Sequence, residues 1–222
     1  MRLLGLRRRW ARARAPHLPP ELEAAWQVPV PSGRSPVESL SFLVCDAEMS
    51  GLDASRDALL SLAWVALREG ELCLDSAQVL HLRSGQGVGQ SATIHRLRDC
   101  DLEAGMKAEA ALRQFLLAAA GHVLVFHHAA LDLAFLDRAC RDCWGVPLLI
   151  PSVDTLRIEA RRMQRSGAAV GSEDLRLARC RERYGLASHR GHAALADAMA
   201  TGELFLAQLA TRGGALRLGD LR

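Results

Sequence analysis

Along this chain the spacing of hydrophobic positions predicts strands first, then helices and strands in alternation. "SLSFLVCDAEM" (39–49), "ALLSLAWVALREG" (58–70) and "LCLDSAQVLHLR" (72–83) are apolar runs of strand length. The short connection "REGEL" holds Gly70 and predicts a hairpin between the second and third strands. "GQGVGQS" (85–91) reads as a loop. From residue 101 the apolar period lengthens to that of a helix in "DLEAGMKAEAALRQFLLAAAG", with Gly121 as its C-cap. "HVLVFHH" (122–128) is a short continuous apolar run, the pattern of a buried central strand. A second helix follows in "AALDLAFLDRACRDCWG" (129–145), and "LIPSVDTLRIEARRMQ" (149–164) predicts a short strand turning into a helix. "SEDLRLARCRERYG" (172–185) predicts a helix with Ser172 as N-cap, and "HAALADAMATGELFLAQLA" (192–210) a last one. The sum is an α/β sheet with helices on both sides.

Composition narrows this picture only modestly. A chain of 222 residues, half of them hydrophobic, holds one sizeable core with or without an extension. No apolar stretch reaches the roughly 18 residues of a membrane span, and "MRLLGLRRRW" lacks the apolar core of a secretory signal. An arginine-rich, acid-poor start is also a feature of mitochondrial presequences. The expectation drawn is a bacterial cytoplasmic protein: bacterial because Lys107 is the single lysine while arginine and alanine are abundant, as in a GC-rich genome, and cytoplasmic because no secretory signal is read. Residues 1–36 carry seven arginines against Glu21 and Glu23, a net +5, which leaves −2 for the rest. The basic balance therefore belongs to the arm: either a polyanion or protein partner docks there, or the arm is a solubilising one. Six of the eight prolines fall between 16 and 36, which predicts a linker or irregular strap. The expected division is a basic, proline-containing extension over 1–40, a domain over 41–212 and a short tail over 213–222. Among six cysteines only Cys140 and Cys143 form a C-x-x-C pair, on a helical pattern and without a second pair to complete a zinc site.

Chemistry enters with the carboxylates. Asp46 and Glu48 are two apart on the first strand, so their side chains share a face at the end of a buried run. Asp132 follows the fourth predicted strand, and Asp197 lies in the last helix, five residues after His192. Five residues turn an α-helix about 140° past a full turn, so His192 at the flexible start of that helix and Asp197 inside it can reach one site. Two carboxylates about 4 Å apart repel by roughly 4 kcal/mol at an effective dielectric near 20. Protonation or a cation must relieve this, and hard oxygen ligands suit Mg²⁺ or Mn²⁺. A pair of such ions clamps the attacking and leaving oxygens in phosphodiester cleavage, and an imidazole can take the proton of the attacking water.

In this order the residues resemble the DEDDh branch of the DnaQ-like 3′–5′ exonucleases. "CDAEMSGLD" resembles the first motif of that family, "VFHHAALDLAFL" the second and "GHAALADAMATGELF" the third, while "ATIHRL" is similar to a segment between the first two. The resemblance covers 41 to about 210. It implies a ribonuclease H-like fold, a mixed five-stranded sheet flanked by helices. It further implies two Mg²⁺ or Mn²⁺ ions on Asp46, Glu48, Asp132 and Asp197, with Asp46 between them and His192 as the base. Met49, Ser50, Gly51, Leu52, His95 and His128 are the implied substrate contacts. His128 stands where the family commonly has Asn, and Met49-Ser50 where it has Thr-Thr; "AEMSGLD" is close to the wording of oligoribonuclease.

The expected activity is metal-dependent hydrolysis at single-stranded 3′ ends, DNA ahead of RNA, releasing nucleoside 5′-monophosphates. The rivals are an oligoribonuclease-like enzyme and a non-catalytic adaptor of the same fold. For single residues the alternatives are an Asp46/Glu48 pair held by arginine, His189 as a second candidate base, and supporting or structural roles for His127 and His128. Arg157, Arg161, Arg162 and Arg165 form either a phosphate track or a solvated helix face. The proofreading subunit of the family carries a carboxy-terminal tether, and "TRGGALRLGDLR" is too short for one. A stand-alone nuclease, or one tethered through its arm, is the corresponding expectation.

Overall fold

A computed structural model describes residues 2–15, 17–83, 104–167, 169–189, 191 and 193–222. The loop 85–91, the "ATIHRL" segment with His95, and His192 all lie outside the described residues. Strands β1 (Phe42–Met49), β2 (Leu59–Arg68) and β3 (Glu71–His81) form an antiparallel meander. Its β2–β3 turn is two residues long, Glu69 and Gly70, both at positive φ, the conformation that matches strand twist in a tight hairpin. Strands β4 (Val123–Phe126) and β5 (Ser152–Asp154) add in parallel, giving the order β3-β2-β1-β4-β5. This is the mixed five-stranded sheet that the motifs implied.

The described residues form seven α-helices: α1 (Arg2–Arg14), α2 (Pro20–Gln27), α3 (Ala108–Ala119), α4 (Ala129–Trp144), α5 (Thr155–Arg165), α6 (Leu177–Arg183) and α7 (Ala194–Arg212). They cover both faces of the sheet, and the period of two along β1 decides which residue sees which layer. Leu43, Cys45, Ala47 and Met49 pack into a core with Leu22 and Trp26 of α2, Leu112 and Phe115 of α3, and Leu136 of α4. Phe42 and Val44 point the other way, into a core with Val65, Val125, Ile158 and Phe205 of α7. Asp46 and Glu48 continue this second face, towards α7.

Several boundaries differ from expectation for physical reasons. Helix α3 begins at Ala108 rather than near 101, because Met106 is held extended against Leu82, with its N–H donating to His81 and its carbonyl accepting from Arg83. Ser172 makes no capping bond; its segment is a single 3₁₀ turn, Glu173–Leu175, before α6. The proline-rich stretch contains α2, since a proline in the first helical turn loses no bond the helix could use. Residues 213–222, expected as a tail, fold back on the chain around Pro36, and Leu218 and Leu221 are buried in the α7-side core.

Candidate active site

Strand β4 runs beside β1 only from Phe42 to Val44, and then stops at Phe126. Past that point the β4 side of β1 lies open, and the first turn of α4 enters the gap. There the carboxylate of Asp132, only 5% exposed, accepts from the backbone N–H of Ala47 and from its own. On the β2 side the register slips between Glu48 and Met49, so that Leu60 is an extra residue in β2. Bulges of this kind raise local twist and re-aim side chains; this one lies at the end of β1 that carries Glu48.

Asp46, Glu48 and Asp197 each offer a carboxylate oxygen, and these oxygens all lie within 4.8 Å of one another. Burial, and then the charges of Asp132, Glu48 and Asp197, push the Asp46 carboxyl well above the ordinary carboxylate range. Burial dominates for Asp132 as well; outweighing the two backbone N–H groups that oppose it and reinforced by Asp154 and Glu48, it takes that carboxyl up to about 8. A divalent cation would replace the protons that burial favours on Asp46 and Asp132 and would match the hard oxygen donors of the cluster. The donor set therefore fits a divalent ion, and the sequence-predicted quartet is assembled at the C-terminal end of β1, the central strand.

The histidines divide differently. His189 donates through Nε2 to Asp197 Oδ1 at 2.8 Å, a contact that the sequence spacing argued against. Residues 186–189 are not helical, so helical spacing does not govern them. Arg181 anchors this loop, donating to the Ala187 and Ala200 carbonyls and pairing with Glu203. His127 is a packed residue: its ring nitrogens meet Thr155 Oγ1 and the Leu175 carbonyl, and burial lowers its pKa. His128 is exposed at φ 81°, ψ 48°, a left-handed conformation that Asn and His tolerate better than most residues.

Around the loop after β1, Ser50 is used twice within the chain: its N–H donates to the Ala58 carbonyl, and its hydroxyl accepts from Ala58 N–H. Gly51 abuts the Asp57 carboxylate, where a Cβ would come to 2.3 Å of an oxygen, so any side chain there must displace that carboxylate from the Asp53 N–H it accepts from. Met49 is packed in the core, whereas Leu52 is 81% exposed at the tip. Sequence reasoning missed Asp154. Its Oδ1 accepts from Leu156 N–H, capping α5, and from His128 N–H, which pins the turn that launches α4. The signal was available as an aspartate directly before a helical pattern.

Residues 43–205, most of the chain, match the exonuclease family of RNase T type. The chain belongs to this family, the DnaQ-like 3′–5′ exonucleases. Among its relatives, this exonuclease is 27% identical over 172 residues to the PolC-type DNA polymerase III of Thermotoga petrophila, and 27% identical over 166 residues to that of Thermotoga maritima. These alignments cover 78% and 75% of the chain but 12% of either polymerase, so the chain spans about an eighth of the curated relatives' length. Its fold is shared with cell-death related nuclease 4, at a TM-score of 0.66 and 14% identity over 77% of this chain and 64% of that one. The nuclease domain of 3′hExo, a DEDDh family member bound to rAMP, superposes at 0.65 and 13% identity, over 80% of this chain and 94% of the other. Escherichia coli exonuclease I in complex with a dT13 oligonucleotide does so at 0.61 and 14%, over 78% and 41%.

Proposed function

We propose that this exonuclease hydrolyses the terminal phosphodiester of single-stranded 3′ ends, releases nucleoside 5′-monophosphates, and prefers DNA. The observation that carries the reading is the convergence of Asp46, Glu48 and Asp197 oxygens within 4.8 Å, with buried Asp132 alongside. Asp46, Glu48 and Asp197 would hold one Mg²⁺ or Mn²⁺ and Asp46 with Asp132 a second. Such ions supply Lewis-acid polarisation and neutralise charge developing on the phosphate. The chain's own tasks are then proton transfer and positioning. His192 takes the proton of the attacking water, and His189 holds Asp197 in place. Exposed Leu52 lies against the terminal nucleotide, and the Ser50–Ala58 pairing keeps its loop in shape. His95 and His128 complete the substrate contacts.

DNA is favoured because the sequence relatives are DNA polymerases and one structural neighbour was solved with a deoxyoligonucleotide. The second reading, an RNA exonuclease of short chains, has its own support in "AEMSGLD" and in the rAMP-bound neighbour. Rates on a 12-residue DNA, the matching RNA and an RNA dinucleotide separate the two. The proposal expects the DNA to be consumed fastest, with 5′-monophosphates as product. Fastest turnover of the dinucleotide would move the function to the RNA reading. A bacterial cytoplasmic role in nucleic-acid repair or turnover goes with this reading, and the bacterial relatives support it. No helix among the described residues is long and apolar enough to cross a membrane.

A further inference from the structure

Apart from the four acids lies a largely apolar cleft with arginines along it; of the groups already assigned, it shares only His128. It has a volume of about 750 Å³ and lies between the side of α4 and the start of α5, with α1 across it; its lining includes His128, Asp137, Arg7, Arg157, Arg161 and Arg222. His128 stands at its lip, one residue before the helix whose first turn carries Asp132. The two acids on its wall are already engaged. Asp137 accepts from Leu148 N–H, and Asp154 from His128 and Leu156 N–H.

Arg222 donates to the Ser152 carbonyl, but the other three arginines are not engaged in this way. Among the described residues Arg7, Arg157 and Arg161 have no carboxylate partner, although ion pairs serve arginines elsewhere on the surface. Within α5 the contrast is clear: Arg162 is spent on Glu159, whose carboxylate is fully buried and also takes Arg183 and the Tyr184 hydroxyl. Only part of the predicted arginine row therefore remains to meet a ligand. On α1 the cleft-lining positions Leu3 and Arg7 continue at helical spacing to Trp10 and Arg14. Trp10 is 63% exposed, with the Arg14 guanidinium over its ring. A cation, an aromatic ring and a cation in line is the pattern of single-strand tracking.

The arm itself is fixed to the domain. Arg8, buried, donates to the carbonyls of Leu149, Trp26 and Val28, and Trp26 Nε1 donates to Leu148. Helix α1 is thus held as one wall of the cleft.

We propose that this cleft holds the sugar-phosphate backbone of the strand upstream of its 3′ end, with Arg7, Arg157 and Arg161 on phosphates and Trp10 beneath a base. The inference rests on the reading of the acidic centre as a 3′-end nuclease site: the acids take the terminal linkage, and the arginines take the phosphates behind it.

The test is binding of a fluorescent 12-residue single strand in Mg²⁺ to the Asp46→Asn protein, with and without Arg7→Ala, Arg157→Ala and Arg161→Ala together, across a salt series. The expected result is at least a ten-fold loss of affinity and a salt slope shallower by about 2, since each phosphate that a cation no longer neutralises on a single strand takes away roughly 0.7. Lysine at the three positions restores most of both. With Asp46 intact, the triple variant cleaves a dinucleotide at the unaltered rate, while its KM for the 12-residue strand rises. Equal affinity and an equal salt slope with and without the arginines would overturn the proposal. If the unaltered enzyme cleaved nothing, the nuclease reading would fail by itself, and the binding series would still judge the cleft.

Discussion

At the scale of single residues, the acids carry opposing demands. Catalysis requires them close together, and closeness without a cation is unfavourable. The Asp132 carboxyl, raised to about 8 chiefly by burial, binds its proton far more tightly in the folded protein than in the unfolded chain, where the value is near 4. The folded state therefore holds more protons between those limits, and the stability of the metal-free protein must fall as pH rises through that window. In EDTA the melting midpoint is expected to drop by several degrees from pH 5 to pH 8, since about 1 kcal/mol moves it by roughly 2–4 °C in a chain of this size. Asp132→Asn flattens the slope, and Mn²⁺ largely removes it. A midpoint in EDTA that is independent of pH, or that rises with it, would contradict a proton held by buried Asp132 in the folded protein. The D-x-E pair was legible in sequence because a strand has period two. The His189–Asp197 contact was not, because periodicity says nothing about the path of a loop.

Among the elements, strand ends and helix starts do the positioning. β4 stops early, α4 enters the gap, and Asp132 takes the backbone N–H that a strand partner would have used. The strands and most helices could be read from apolar spacing alone. What could not be read were segments whose order depends on a distant partner. Leu218 and Leu221 pack only because the chain near Pro36 is there to meet them. The arm is similar: its arginines look alike in sequence, yet Arg8 is buried against three carbonyls and Arg7 faces a cleft. Arg8→Ala leaves those carbonyls without a donor and is expected to cost about 2 kcal/mol. Arg7→Ala, with no such bonds to lose, is expected to leave stability within about 0.5 kcal/mol. Urea unfolding of the two variants checks the pair, and equal effects would show that α1 does not dock through Arg8.

For the whole molecule, charge is partitioned: an acidic centre at the end of β1, and apart from it a cleft with arginines of α1 and α5 along it. A nucleic-acid end needs both, one to hold cations at the reacting phosphate and one to hold the anionic strand. Everything else depends on the four acids forming a metal-dependent centre that cuts from the 3′ end. Digestion of a 5′-labelled single strand in Mg²⁺, in Mn²⁺ and in EDTA, with Asp46→Ala in parallel lanes, decides whether they do. A ladder that shortens stepwise from the 3′ end is expected in either metal, and an intact strand in EDTA and in every Asp46→Ala lane. Shortening that persists in EDTA, or an Asp46→Ala protein as active as the unaltered one, would remove the acids from the chemistry.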